Sequence, residues 1–248
     1  MSKFDRSIFY KKYQQDVLKI AKKKASIEIK GAKKKYSSSE KYFLEFLWLL
    51  AEVEYKLIDL ELCLKFINFF PPNKSLRIQA SRYDYIVYHL EYYYINIVAI
   101  FDRLLHVINF IFNLKLKGAK LTLINVEKIG LVDAKIINLL KIFDKSINTI
   151  RNTQNTIKHR LKFQERELDE AQLYEHILKN SEEMKVESKQ KMMFRFASKL
   201  KYSFYLSKKK KEIKSNNKFI EEVAIKVCDL VLPYFDDQYV QRKTSDSK

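Results

Sequence analysis

The chain has 248 residues, enough for one large domain or two small ones, and 47% of them are apolar, which excludes a disordered protein. Its three glycines and three prolines are far below ordinary usage, which excludes a turn-rich β-protein and predicts an all-α fold of long helices. The formal net charge of +18 favours a polyanionic partner, nucleic acid or an anionic membrane surface, although AT-rich codon usage also enriches lysine.

The N-terminal region is predicted to form a basic amphipathic helix over residues 4–35, with apolar side chains at helical spacing and lysine triplets towards its end. A Ser-Ser-Ser-Glu sequence from Ser37 to Glu40 supplies an N-cap for a second helix, because serine hydroxyls accept hydrogen bonds from the first backbone amides. This second helix is predicted to run to about Phe70, since Pro71 and the proline after it cannot continue it.

The centre of the chain is predicted to form two long core helices. Residues 76–116 are apolar around much of their circumference, which is typical of a central buried helix. Gly130 then precedes Asp133, which is predicted to cap the fourth helix. That helix carries a stripe of apolar residues at spacings that alternate between four and three positions, and Gln154 occupies the one position of the stripe that is not apolar. The helix is predicted to continue past Glu165 as a charged extension.

The region after residue 185 is predicted to form further helices with methionine and aromatic anchors. The four lysines at 208–211 fit a solvated basic turn. A last helix over 219–232 is predicted to end before Pro233, because a proline in a helix interior removes a hydrogen bond and clashes with the preceding turn.

Together these elements predict an all-α bundle of four to five core helices with additional basic peripheral helices. We divide the chain into a basic N-terminal helix (1–36), a helical bundle (37–185), C-terminal helices that pack on the bundle (186–240) and a disordered tail (241–248). No linker rich in glycine, serine or proline separates these segments, so one helical domain is the simplest organisation.

The two cysteines and the lack of targeting signals bear on the compartment. Cys63 and Cys228 lie in apolar helical contexts and are predicted to be core thiols in a reducing environment. The N-terminal residues lack an apolar signal core, and no stretch reaches the roughly 18–20 uninterrupted apolar residues of a membrane span. We therefore expect a soluble cytoplasmic protein with no membrane span.

One polar cluster lies inside the fourth predicted helix, where a helix that only packs has no need of such side chains. At about 100° per residue, Asn152, Asn155 and His159 fall close to one line along the helix. Arg151 lies between that line and the apolar stripe. The cluster therefore flanks the packed face and would meet a cleft or a partner protein.

These residue types suit phosphodiester chemistry. A histidine titrates near neutral pH and can move a proton to or from a ribose 2′-hydroxyl or a leaving oxygen. An arginine presents a planar fork to phosphate oxygens, and a carboxamide can orient either group without carrying charge. No metal or cofactor is required. Taken without other information, the same residues fit an ordinary helix surface equally well.

The spacing of Arg151-Asn152, six further residues and then His159 resembles the signature of HEPN domains, in which an arginine and a polar residue precede a histidine. The context is also similar, because HEPN domains are bundles of four or five helices with this motif in a late core helix. The long helix around residues 92–105 is similar to that of stand-alone prokaryotic members. The resemblance covers residues 40–180.

The resemblance implies a metal-independent endoribonuclease, which many family members use as toxins, in phage defence or in RNA processing. Arg151 and His159 would be catalytic, and Asn152 would be the polar residue beside the arginine. HEPN domains typically dimerise and bring two copies of the motif together. The resemblance therefore also implies a homodimer with a composite site at the interface, RNA as substrate and an antitoxin as a candidate partner.

Neighbours of the motif are assigned supporting roles. Lys158, Arg160 and Asn155 are predicted to contact RNA. Asp102 and Arg103, on the central helix, either form an internal ion pair at a helix–helix contact or help to shape the cleft around the motif.

Other functions compete with RNA cleavage. A metal site is not predicted, because His89, His106 and His176 are spread along the chain without ligand spacing. The main rival is a non-catalytic helical module that holds RNA, a nucleotide or a protein. A third possibility is peripheral membrane association through the basic helix at 4–35.

Overall fold

The computed structural model describes residues 8–29, 36–69, 81–158 and 165–247. Every regular element in these residues is helical, so the predicted all-α fold class is confirmed. The α-helices described are α1 (Ile8–Ile29), α2 (Ser38–Asn68), α3 (Arg82–Ile111), α4 (Leu123–Ile129), α5 (Ala134–Ser146), α6 (Asn148–Lys158), α7 (Arg166–Lys179) and α8 (Ser188–Asp246).

The chain divides into two compact units. Unit 1 contains Met1–Leu57, Ala99–Ile147 and Ile220–Lys248, and unit 2 contains Ile58–Val98 and Asn148–Phe219. Three helices, α2, α3 and α8, continue from one unit into the other. Three of the four unit boundaries therefore fall inside helices, and the fourth falls between α5 and α6. None coincides with a border of the four predicted segments, whose limits stay a prediction.

Unit 1 is built around an aromatic core. The ring of Tyr13 on α1 lies 5.7 Å from Phe43, 5.5 Å from Phe235 and 5.7 Å from Tyr239, in edge-to-face arrangements. Phe46 stacks on Phe235 at 4.3 Å. These contacts attach the basic N-terminal helix to α2 and to the end of α8.

Unit 2 ties its helices together with buried polar contacts. The hydroxyl of Tyr93 on α3 donates to Asn217 on α8 at 3.1 Å, and the Asn217 amide donates to the backbone oxygen of Leu60 on α2 at 3.4 Å. Tyr83 donates to Asp169 at the start of α7 at 2.6 Å. Because a buried polar group without a partner is costly, these bonds specify how the helices of this unit pair.

The predicted helix caps are confirmed. The Ser37 hydroxyl accepts from the Glu40 amide at 3.2 Å, and the Glu40 carboxylate accepts from the Ser37 amide at 2.9 Å, which is a reciprocal capping box. Asp133 accepts from the Lys135 amide at 2.7 Å at the start of α5. Gly130 ends α4 with a φ of 71°, a left-handed conformation in which a side chain would be strained.

The fourth predicted helix is divided. Its first half is α5, Ile147 forms a turn, and α6 begins at Asn148. The prediction that the helix runs on past Glu165 is wrong, because Glu165 has extended backbone angles (φ −130°, ψ 105°) and acts as the N-cap of α7. Residues 159–164, between these helices, lie outside the described part of the chain.

The third predicted helix is shorter than expected at its C-terminal end. It ends at Ile111 and not at residue 116, because Asn113 adopts a left-handed φ of 49° that breaks the helix. The Asn109 amide then donates to the backbone oxygen of Leu116 at 3.1 Å. The predicted start at residue 76 lies outside the described residues.

The C-terminal half of the chain departs most from prediction. The lysines at 208–211 are helical and not a turn, and α8 continues through Pro233, which was predicted to follow a helix end. A proline inside a helix costs about 3 kcal/mol, which the buried apolar residues on either side, including Val231 and Phe235, offset. The tail predicted to be disordered (241–248) is helical to Asp246.

One described helix, α3, is long and apolar enough to cross a membrane by length and composition. In its most apolar 18-residue window, 61% of the residues are buried inside the protein. The core helix of a soluble protein passes the same test, and this burial favours that interpretation.

Candidate functional site

The motif helix α6 is amphipathic and is anchored by its buried side. Ile147, in the turn before it, is 1% exposed, and Gln154, in the predicted gap of the apolar stripe, is 5% exposed. Ile150 and Ile157 are half-buried. The stripe therefore fixes the rotation of α6 about its axis, which decides where its polar side chains lie.

The described part of the polar cluster lies at the edge of this packed side. Arg151 is half-buried, whereas Asn152 and Asn155 are exposed and lie one turn apart. The hydroxyl of Thr156 donates to the backbone oxygen of Asn152 at 3.0 Å, so it is satisfied within the helix. The exposed amides are accessible, and the half-buried Arg151 lies beside them on the same helix.

The remaining motif residues lie at or beyond the end of the described part of α6. Lys158 is the last residue of α6, and His159 and Arg160 lie outside the described residues. The geometry between Arg151 and His159 therefore stays a prediction, as do the RNA contacts assigned to Lys158 and Arg160.

The two residues predicted to support the cleft lie in a different unit from the motif. Asp102 and Arg103 belong to unit 1, and Arg151 belongs to unit 2. Arg103 pairs with Glu52 on α2 at 3.2 Å, with both side chains about two-fifths exposed. Arg103 thus has an ion-pair partner on another helix, and its role in the cleft remains a prediction.

A buried ion cluster fixes the chain just after the motif segment. Lys209 on α8 has a side chain only 10% exposed, and its Nζ lies 2.9 Å from Glu165, 3.1 Å from Glu212 and 3.3 Å from the Tyr94 hydroxyl. Burial lowers the pKa of Lys209, but Tyr94, Glu165 and Glu212 outweigh burial and raise its pKa. Lys209 therefore stays charged and holds the first described residue after the segment that carries His159.

Sequence reasoning missed this cluster by assigning 208–211 to a solvated turn. Helical register contained the signal, because Lys209 follows Tyr202 and Tyr205 by seven and four positions and precedes Ile213 by four. All three of these residues are buried. A lysine on the same helix face as three buried residues is itself expected to be buried, so its charge needs an acidic partner, and Glu212 is one turn away.

The other candidate chemistries gain no support from the described residues. Among these, no group of three or more histidine, cysteine, aspartate or glutamate side chains could hold a metal ion. His89 packs against Phe66 with ring centroids 5.1 Å apart, and burial lowers its pKa. Cys63 and Cys228 are both buried, and neither is in a disulfide.

Comparison with known proteins identifies one family. The sequence model of the family described as HEPN_Cthe2314-like HEPN matches residues 50–223, more than two thirds of the chain. Searches of curated proteins and of solved structures returned no match. The matched segment contains all of α6 and the residues that follow it, including His159.

Proposed function

Because the chain belongs to the HEPN family, we propose that it is a metal-independent endoribonuclease, a specific form of the nuclease or RNA-related function that the family suggests. One observation carries the proposal: Arg151-Asn152, six residues and then His159 lie inside the matched segment, with the arginine on the edge of a packed helix. The fold and the charge of +18 support an RNA substrate.

The proposed reaction needs only side-chain chemistry. His159 removes the proton from a ribose 2′-hydroxyl, and the 2′-oxygen attacks the adjacent phosphorus while the bond from phosphorus to the 5′-oxygen breaks. The leaving 5′-oxygen takes up a proton from a protonated imidazole or from water. The products are a 2′,3′-cyclic phosphate and a 5′-hydroxyl.

The remaining motif residues bind and orient the RNA in this proposal. Arg151 holds the scissile phosphate and stabilises the charge that builds on its oxygens. Asn152 keeps the two catalytic groups in position, while Asn155, Lys158 and Arg160 contact the neighbouring RNA backbone. Two motifs meet across a homodimer interface, which concentrates positive charge where the polyanion binds.

The cellular setting follows from the same chemistry. A ribonuclease without a cofactor requirement is toxic unless it is restrained, so we propose a role as a toxin or phage-defence effector with an antitoxin as partner. Two buried thiols outside any disulfide fit the reducing cytoplasm.

The test is RNA cleavage in the presence of EDTA. The wild-type chain is expected to produce 2′,3′-cyclic phosphate ends, and His159→Ala to cut the rate by about 10²–10⁴-fold. Arg151→Ala should lose about 10²–10³-fold. His176→Ala is the matched control, because His176 is an exposed histidine on α7 outside the motif and its loss should leave the rate unchanged.

A mixing experiment tests the composite site. Arg151→Ala and His159→Ala should each cleave only at their reduced rates, but a mixture should recover activity if each site draws on both protomers. Cleavage by His159→Ala at the wild-type rate would refute catalysis by this motif. If RNA is bound but never cut, the chain is the non-catalytic binding module that rivals this proposal.

A further inference from the structure

A cavity of about 680 Å³ lies in unit 1, where the first turns of α2, the end of α3 and the end of α8 meet. Several of its lining residues, including Lys41, Glu45 and Arg242, fall outside the segment that matches the HEPN family. The volume is in the range of about 300–1,000 Å³ typical of small-molecule sites. None of the described lining residues belongs to unit 2, which contains the motif on α6.

The lining carries an excess of positive charge. Lys41, Lys115 and Arg242 line the cavity together with one carboxylate, that of Glu45. Neither Lys41 nor Lys115 forms an ion pair with a carboxylate of the described residues. Like charges gathered around a cavity repel one another, so this grouping favours an anionic ligand.

The loop that carries Lys115 is held in a strained conformation. Asn113 and Lys115 have φ values of 49° and 58°, and a left-handed conformation is unfavourable for a lysine because of its Cβ. Asn109 clamps the loop, since its side chain exchanges two hydrogen bonds with the backbone of Leu116 at 3.0 and 3.1 Å. Gln238 on α8 donates to the last backbone oxygen of α3 at 2.6 Å. Lys115 is therefore placed by a rigid loop.

Arg242 lies against the buried ring of Tyr42, which also lines the cavity. Tyr42 is 6% exposed, and its hydroxyl has no hydrogen-bond partner among the described residues. The Arg242 guanidinium lies 4.5 Å from the Tyr42 ring centroid, which holds the guanidinium in place. Burial raises the pKa of Tyr42 to about 12, so the hydroxyl remains a donor at neutral pH.

We propose that this cavity binds a phosphate ester that carries hydroxyl groups, that is, a sugar phosphate, either free or as part of a mononucleotide. Lys41, Lys115 and Arg242 bind the phosphate dianion. Glu45 repels phosphate but accepts hydrogen bonds from sugar hydroxyls, which explains a carboxylate in a cationic site. The binding site is separate from the proposed RNA-cleaving motif and does not depend on cleavage.

Calorimetric titration of the full chain tests this site, with ribose 5-phosphate, AMP and inorganic phosphate as probes at fixed ionic strength. Ribose 5-phosphate is expected to bind with a dissociation constant below about 1 mM and at least tenfold more tightly than inorganic phosphate. If AMP binds as well, mononucleotides are a source of the sugar phosphate. If ribose 5-phosphate binds and AMP does not, the ligand is restricted to free sugar phosphates.

Matched variants assign the binding to the cavity. Lys41→Gln with Lys115→Gln should weaken ribose 5-phosphate at least tenfold, whereas Lys120→Gln with Lys135→Gln, at exposed lysines elsewhere in unit 1, should not. Glu45→Gln should weaken ribose 5-phosphate but not inorganic phosphate. Circular dichroism of each variant checks that the helices remain folded.

Several results would overturn the proposal. One is the absence of binding by all three probes, and another is equal affinity for ribose 5-phosphate and inorganic phosphate. Binding unchanged by the Lys41 and Lys115 substitutions would place the site elsewhere. Binding of a 5′-phosphorylated RNA oligomer that is lost in the Lys41→Gln, Lys115→Gln variant, with no binding of a small probe, would assign the cavity to RNA. None of these results bears on His159-dependent cleavage, so the two proposals fail separately.

Discussion

Lys208 and Lys209 are neighbours in the sequence with opposite surroundings. Lys209 Nζ lies 2.9 Å from Glu165 and 3.1 Å from Glu212, with its side chain 10% exposed. Lys208 pairs with Glu167 at 3.1 Å, but its side chain is 66% exposed. Exposed pairs contribute at most about 1 kcal/mol, whereas removing one partner of a buried pair leaves a desolvated charge behind.

Truncation of these two lysines should therefore have unequal effects on stability. We expect Lys209→Ala to lower the free energy of unfolding by about 2–3 kcal/mol and Lys208→Ala by less than about 1 kcal/mol. The first value lies at the low end for buried pairs because the Glu165 side chain is 27% exposed and partly solvated. Urea unfolding measures both, and equal losses would show that the Lys209 cluster is not buried in solution.

At the level of single residues, the sequence predicts those contacts that join residues close together in the chain. The capping pair of Ser37 and Glu40 and the Asp133 cap each act within three positions, and all were predictable. The apolar spacing also predicted that Gln154 would take a buried place. The pairing of Lys209 with Glu165 joins residues 44 positions apart, and only the packing of α7 on α8 determines which acid the lysine meets.

At the level of elements, a residue at the C-terminal end of α8 caps the N-terminal end of α2. The local sequence around either end does not reveal this contact. The Asp246 carboxylate, at the end of α8, accepts from the amides of Ser38 and Ser39, the first residues of α2, at 3.2 and 2.8 Å. More than 200 positions separate the partners. Because the tail has the composition of a disordered terminus, its order comes from this tertiary contact and not from helix propensity.

This cap makes stability depend on pH. Hydrogen bonds from the side chain and then the backbone of Ser39 lower the pKa of Asp246 from 3.8 to about 2. A carboxyl whose pKa is lowered by folding stabilises the folded state above its unfolded pKa, and this contribution is lost as pH falls through the folded value. The stabilisation from Asp246 should thus be constant above about pH 4 and disappear towards pH 2.

Thermal melts of Asp246→Ala and the wild-type chain between pH 2 and 7 test this cap. The variant should melt at a lower temperature at neutral pH, and the difference should close below about pH 4. Asp237→Ala is the control, because Asp237 is an exposed carboxylate on the same helix. A difference that persists unchanged to pH 2 would mean that the charge of Asp246 is not what stabilises α2.

At the level of the whole molecule, continuous helices link the two units. The boundaries cross α2, α3 and α8 without interrupting them, and a helix forms cooperatively because each turn depends on the one before it. Unfolding of either unit would thus expose broken ends of three long helices. We infer that the two units unfold together, although each has its own buried core.

Two core truncations, one in each unit, test this inference. Phe143 in unit 1 and Leu168 in unit 2 are both fully buried, and truncation of either to alanine should cost about 2–5 kcal/mol. Each variant should show a single calorimetric transition, shifted to lower temperature as a whole. Ile142→Ala, at a position 53% exposed, is the matched control and should shift the transition little. If Phe143→Ala or Leu168→Ala instead splits the melt into two transitions with only one displaced, the units fold independently, and helix continuity does not couple them.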